Sequence, residues 1–286
     1  MTKLLQLQPD IIERVQELVT EYRYFLVDQF GVLHNGFTAY PGAAEALRQL
    51  KGMGAVIVII SNSGKRADLN KTRLSNLGFT PDCYDDLVSS GEVAWNLLNS
   101  EYIGSRLTRS ARCYLLSNNN DRSALEGLDL TVVENIEEAE VILLSGQHLN
   151  EKGLAALCQR LQSAVKSGVP CFCTNPDKIA YAESGKVFSS GTVAQWYEEQ
   201  GGEVIWLGKP YPEIYQYVLK QYNITDKSQV ICVGDSIEHD IKGGVIQGLS
   251  TVLVRSGILD DLDDNQITNL YQRHSATPDY VIPEFI

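Results

Sequence analysis

The stretch YFLVDQFGVLHNG, residues 24–36, joins a short apolar run to a carboxylate and then to a glycine. A run such as 24–27, apolar without alternation, suits a strand covered on both faces. Asp28 stands where that strand ends, a costly place for a carboxylate unless it holds a cation or accepts hydrogen bonds. Gly31, three residues on, lets the backbone approach a ligand closely.

Working outward, AVIVII (55–60), CYLLS (113–117), VILLS (141–145), VPCFC (169–173), EVIWL (203–207), QVICVG (229–234) and STVLVR (250–255) have the same character. Between them lie helical patterns. Ala43, Ala46, Leu47, Leu50 and Met53 recur at helical spacing over 42–53, and Leu154, Leu157, Cys158, Leu161 and Val165 do so over 151–167. Pro212 suits the first turn of a third helix running to about Tyr222. Strand and helix in repetition predict an α/β fold with a parallel sheet and right-handed crossovers. In such sheets ligands bind beyond the carboxyl ends of the strands.

Four of those ends carry unusual polar groups. Asp28 is the first. Ser61, Asn62, Ser63 and Gly64 follow the second run and suit a phosphate. Lys209 follows 203–207, between Gly208 and Pro210. The run at 229–234 leads into Asp235, with Asp240 five residues on. Asp28, Asp235 and Asp240 make a hard, oxygen-rich set of the kind magnesium prefers, and a carboxylate can also take a phosphoryl group as a nucleophile. Read singly, each of these residues is a helix cap or a surface group. Read together, in this order and all at strand ends, they form one site.

Composition sets the outer limits. The 286 residues are 44% hydrophobic and 21% charged, enough for one large domain or two smaller ones. A net charge of -12 disfavours nucleic acid and membrane surfaces as partners. Charges interrupt the opening residues before they reach signal-peptide length, and no stretch approaches ~18 uninterrupted apolar residues, so a cytoplasmic protein is expected. The six cysteines form no CxxC pair and read as core. There is no GxxxxGK[ST] loop and no GxGxxG turn. Asp260, Asp261, Asp263 and Asp264 read as a solvated face.

The order Asp28-x-x-Gly31-Val32, Ser61-Asn62, Gly208-Lys209-Pro210 and Gly234-Asp235 with Asp240 resembles the four signature motifs of the haloacid dehalogenase superfamily. The long gap between the second and third motifs is similar to its class IIA branch, which includes the NagD-like and nitrophenyl-phosphate phosphatases. Pro41-Gly42-Ala43, Thr174-Asn175-Pro176-Asp177 and the ending ATPDYVIPEF add to the likeness, which covers nearly the whole chain. The resemblance implies a three-layer Rossmann-like core, residues 1–100 and 191–286, and an inserted α/β cap, residues 101–190. It implies a magnesium-dependent phosphatase of a small phosphate ester, with a homodimer through the cap as one assembly. Asp28 would be the nucleophile, and Lys209 would orient it and offset developing charge. Asp28, the carbonyl of Phe30, Asp235 and Asp240 would hold Mg2+. Ser61 and Asn62 would bind phosphate, with Asn175 and Asp177 reaching substrate from the cap.

One position departs from the pattern. The superfamily's phosphatases carry Asp-x-Asp in the first motif, and the second Asp serves as acid and base; here that position is Phe30. Three readings follow. In the first, another group substitutes, with His34 and His239 as candidates. In the second, the chain binds a phosphate ligand and has lost turnover. In the third, Asp28 performs dehalogenase-like chemistry, which the retained Asp235 and Asp240 argue against.

Overall fold

The computed structural model describes residues 8–182 and 185–286; the opening residues 1–7, read above for a leader, lie outside that range. The chain divides into two compact units. One comprises the residues up to Ser61 with Lys71–Val88 and Lys209–Ile286; the other comprises Asn62–Asn70 and Ser89–Gly208.

In chain order the strands are β1 (Asp10–Ile11), β2 (Tyr24–Val27), β3 (Val56–Ser61), β4 (Asp86–Ser89), β5 (Ala111–Leu116), β6 (Leu130–Val133) and β7 (Val141–Leu144). They continue with β8 (Cys171–Cys173), β9 (Ile179–Ala182), β10 (Gly185–Phe188), β11 (Val204–Trp206), β12 (Val230–Gly234), β13 (Ser250–Val254) and β14 (Tyr280–Ile282). The helices used below are α1 (Ala43–Gly52), α2 (Ala67–Asn76), α3 (Ser90–Leu97), α4 (Glu151–Lys166), α5 (Ser190–Glu199) and α6 (Pro212–Gln221).

The first unit is built on a seven-stranded sheet in the order β1-β14-β13-β12-β2-β3-β4. The pairs from β1 through β3 are parallel. Phe25, Leu26, Val27, Ile57, Val58, Ile59, Val230, Ile231, Val252 and Leu253 are all buried, as continuous apolar strands in a covered parallel sheet must be. The helix expected over 42–53 is α1, which turns Ala43, Ala46, Leu47 and Leu50 inward. Pro212 stands at the first position of α6.

The second unit has its own five-stranded sheet, β11-β8-β7-β5-β6, and a β9–β10 hairpin. It reaches past the 101–190 span expected for the insertion. α5 lies beyond residue 190, yet Val193, Ala194 and Tyr197 are buried in one cluster with Ile142, Leu161 and Cys171. β11 pairs with β8 and so completes the same sheet. Among the described residues no helix is long and apolar enough to cross a membrane, and all six cysteines are free thiols.

Tyr197 ties this unit together: its ring is fully buried, and its hydroxyl donates to the Val169 carbonyl at 2.7 Å. Tyr197→Phe leaves that carbonyl unsatisfied, at a cost of about 1–3 kcal/mol. All three tryptophans, Trp95, Trp196 and Trp206, belong to this unit, so fluorescence follows its unfolding alone. The urea midpoint read by fluorescence should fall in the variant; an unchanged midpoint would show that the hydroxyl contributes nothing.

Candidate active site

From β2 the chain builds outward to β3 and β4 on one side, and it later adds β12, β13 and β14 on the other. The strand order therefore reverses between β2 and β12, and a crevice opens at their carboxyl ends. Asp28 follows β2 there, its N–H donating to the Val233 carbonyl at 2.8 Å. Asp235 follows β12, and Ser61 closes β3.

Lys209 Nζ donates to Asp28 Oδ1 at 2.6 Å and to Asp240 Oδ1 at 2.7 Å. Asp28, Asp235 and Asp240 each bring one oxygen to within 4.8 Å of the other two. All four side chains are buried, Lys209 being 2% exposed. Three glycines make the room. A Cβ on Gly31, whose φ is +81°, would lie 1.8 Å from Asp235 Oδ2, and one on Gly257 would lie 2.1 Å from the same oxygen. A Cβ on Gly234 would lie 2.1 Å from Asp240 Cγ. Backbone donors fix the carboxylates: the Ile258 N–H donates to Asp235 Oδ2 at 2.9 Å, and the Ser236 N–H to Asp240 Oδ2 at 3.1 Å. Ser256 Oγ donates to the Gly31 carbonyl at 2.7 Å. Sequence reasoning passed over this Ser256–Ile258 turn, although the strand-end rule applied to Asp28 would have flagged it.

Burial pushes the Asp28 carboxyl up to about 7; Lys209 opposes the shift and Asp240 adds to it. Burial, followed by the charges of Asp28 and Asp240, holds Asp235 well above the usual carboxylate range. Burial works against the Lys209 ammonium, but Asp240 and Asp28 outweigh it and its pKa is raised. Fully ionised, three carboxylates against one ammonium would leave two negative charges in a buried space, which is why Asp28 and Asp235 hold their protons more tightly than usual. A divalent cation that prefers hard oxygen donors fits that set.

The remaining candidates are placed as follows. The Phe30 ring is 44% exposed, with the Arg73 guanidinium 4.7 Å above it and the His34 ring edge-on at 4.5 Å. His34 is buried, its Nδ1 accepts the Gly36 N–H at 2.9 Å, and burial with the charge of Arg73 brings it down to about 4. That is the setting of a neutral packing imidazole. The backbone N–H of His239 donates to Ser236 Oγ at 3.2 Å. Ser61 Oγ accepts a short hydrogen bond from Gln29 Nε2. In the second unit, Asn62 Nδ2 donates to Asp177 Oδ1 at 2.8 Å, and Asn175 Oδ1 takes the Asp177 N–H at 3.1 Å in a local turn. The structure thus brings Asp28, Lys209, Asp235 and Asp240 together, and joins Asn62 to Asp177.

The crowded charge makes a prediction about stability. Asp235 has a folded-state pKa above its unfolded value, so its contribution to stability is present at low pH and is lost as pH rises. In chelator near pH ~8, Asp235→Asn should raise the melting temperature by roughly a few degrees, and the gain should vanish toward pH ~4. Added magnesium should raise the wild type more than the variant. A thermal scan in which the variant melts lower in chelator at both pH values would contradict this account.

A family model described as haloacid dehalogenase-like hydrolase matches residues 89–245, and another with that description matches 25–131. Chronophin of Bos taurus is 25% identical over 281 residues, 94% of this chain and 92% of that protein. The acid sugar phosphatase of Staphylococcus haemolyticus is 26% identical, over 83% of this chain and 86% of that one. A solved haloacid dehalogenase-like hydrolase from Brucella suis superimposes with a TM-score of 0.80 at 25% identity, covering 96% of this chain and all of that chain. Motif order, fold and matches agree: the chain belongs to the haloacid dehalogenase-like hydrolases.

Proposed function

We propose that this protein is a magnesium-dependent phosphatase of a small phosphomonoester, working in the cytoplasm through an aspartyl phosphate on Asp28. The observation that carries this reading is the buried cluster in which one ammonium serves Asp28 and Asp240 while Asp235 stands beside them. Asp28, Asp235 and Asp240, with the Phe30 carbonyl, would hold Mg2+, which supplies positive charge to the phosphoryl oxygens when bound. The names of relatives such as the acid sugar phosphatase support a small phosphorylated substrate.

In the first step the Asp28 carboxylate attacks phosphorus, the ester P–O bond breaks, and the leaving oxygen departs with the bonding pair as an alkoxide that takes its proton from solvent water. Lys209 keeps the carboxylate pointed and, against the effect of burial, favours its ionised form, because a buried ammonium at 2.6 Å stabilises the anion. In the second step water attacks phosphorus, and Asp28 and inorganic phosphate are released. Both steps need a proton moved, from water to base and from acid to leaving oxygen. The Phe30 ring can do neither, and removing such help typically costs ~10²–10⁴ in rate. Turnover should therefore depend steeply on how good the leaving group is.

The test is phosphate release from a panel of esters, with magnesium and with chelator. Wild type should release phosphate only with magnesium, and Asp28→Asn should release none. Phe30→Asp should raise turnover of alkyl phosphates more than that of nitrophenyl phosphate, by roughly tenfold or more. Equal effects on both would mean that the missing acid is not what limits the enzyme. The same Phe30 side chain favours one other reading, a phosphate-binding regulatory protein. A folded wild type that binds magnesium and releases phosphate from no ester would establish it.

A further inference from the structure

Gln29 is placed where an apolar side chain would be expected. It lies 1% exposed between the nucleophile and Phe30. Its Nε2 donates to Ser61 Oγ, while its Oε1 is buried with no hydrogen-bond partner among the described residues. A buried amide with one end unsatisfied is less favourable than a methionine of similar length, so packing alone does not account for it.

Its setting is rigid. β2 and β3 run parallel with Val27 opposite Ile59, so Gln29 and Ser61, each two residues further on, stand level. The Gln29 carbonyl accepts the Leu33 N–H at 2.9 Å and the His34 N–H at 3.2 Å. The backbone is thus pinned by the turn that follows it, and the side chain crosses from the nucleophile strand to the end of the neighbouring one.

We propose that Gln29 is a positioning residue for phosphate: its amide N–H occupies an acceptor site of the Ser61 hydroxyl, so that Ser61 presents its hydrogen to a phosphate oxygen. The inference rests on the phosphatase reading above, in which Ser61 is a phosphate ligand. A hydroxyl has one hydrogen and two lone pairs. With a lone pair held by an amide donor, the hydroxyl turns its hydrogen outward, toward an ionised phosphate oxygen, which can only accept. With an acceptor behind it instead, the hydrogen would point back and lone pairs would face the anion.

The experiment is calorimetric titration of inorganic phosphate into the full chain with saturating magnesium, which needs no turnover. The proteins are wild type, Gln29→Met, Gln29→Glu, Ser61→Ala and the Gln29→Met/Ser61→Ala double variant. Ser61→Ala and Gln29→Met should each weaken phosphate by about three- to tenfold. The double variant should be no weaker than Ser61→Ala alone, because Gln29 acts through that hydroxyl. Gln29→Glu, differing by one atom, should bind worse than Gln29→Met, since it can only accept and adds charge. Melting temperature should be maintained in Gln29→Met, which separates positioning from packing. If Ser61→Ala weakens phosphate and Gln29→Met does not, or if the two losses add, the role given to Gln29 is wrong while that of Ser61 stands. If Ser61→Ala binds as wild type does, the phosphate reading of this strand end fails and the inference falls with it. Should Gln29→Met not fold, Gln29→Glu decides: unchanged affinity there also overturns the proposal.

Discussion

The Lys209 ammonium, buried between Asp28 and Asp240, is the constraint on which the first unit depends. An ammonium taken from water alone would cost several kcal/mol, and so would each carboxylate. The three are tolerable only as a set, at hydrogen-bond distance, with the Ser236 N–H on the second oxygen of Asp240. They come from three places far apart in sequence: the end of β2, the turn after β12 and the segment before α6. Satisfying one ammonium therefore fixes the relative heights of all three. The glycines at 31, 234 and 257 follow from the same demand, because a side chain at any of them would occupy the space of a carboxylate.

That cluster is held by a sheet whose stability comes from elsewhere. The central strands β2, β3, β12 and β13 contribute apolar side chains that are almost wholly buried, each worth about 1.5–3 kcal/mol relative to exposure. Polar groups enter only beyond the last apolar residue of each strand. The division is spatial: the strands stabilise, and their carboxyl ends hold groups that repel one another. A raised Asp235 and a raised Asp28 are the expected consequence of charge concentrated on a scaffold strong enough to bear it.

What could be read in the sequence follows the same division. Strands with four or more consecutive apolar residues, such as β2, β3, β7 and β12, announce themselves, because burial on both faces leaves no room for polar alternation. The site carboxylates and Lys209 were legible for the converse reason, as charges against apolar runs. The edges were not legible. β1 is two residues long with Ile11 84% exposed, and β6 has no fully buried residue, so their pairing is set by distant strands rather than local pattern. Asn175 and Asp177 read equally well as ligands or as turn formers, and the Asx turn that joins them is a local hydrogen bond any such spacing can make. Gln29 was invisible for a different reason. A glutamine after an aspartate carries no signal until the neighbouring strand end is known to stand level with it.

Phe30 is the point at which the chain departs from its family's pattern, and the departure is built into its surroundings. Arg73 lies over the ring and donates from Nη2 to the Gly36 carbonyl at 2.9 Å. Gly36 in turn gives its N–H to His34, whose ring meets Phe30 edge-on. A Cβ on Gly36, with φ at +100°, would lie 2.9 Å from the Phe30 ring, so the loop has closed onto an aromatic. Asn35 Oδ1 then locks the turn by accepting from the N–H groups of Phe37 and Thr38. An aspartate at position 30 is shorter than the ring, so Phe30→Asp supplies an acid and at the same time takes from Arg73 the aromatic face, and from His34 the ring, that they pack on. What the variant gains is therefore set by how the loop from His34 to Thr38 closes around the smaller side chain, as well as by the new carboxylate.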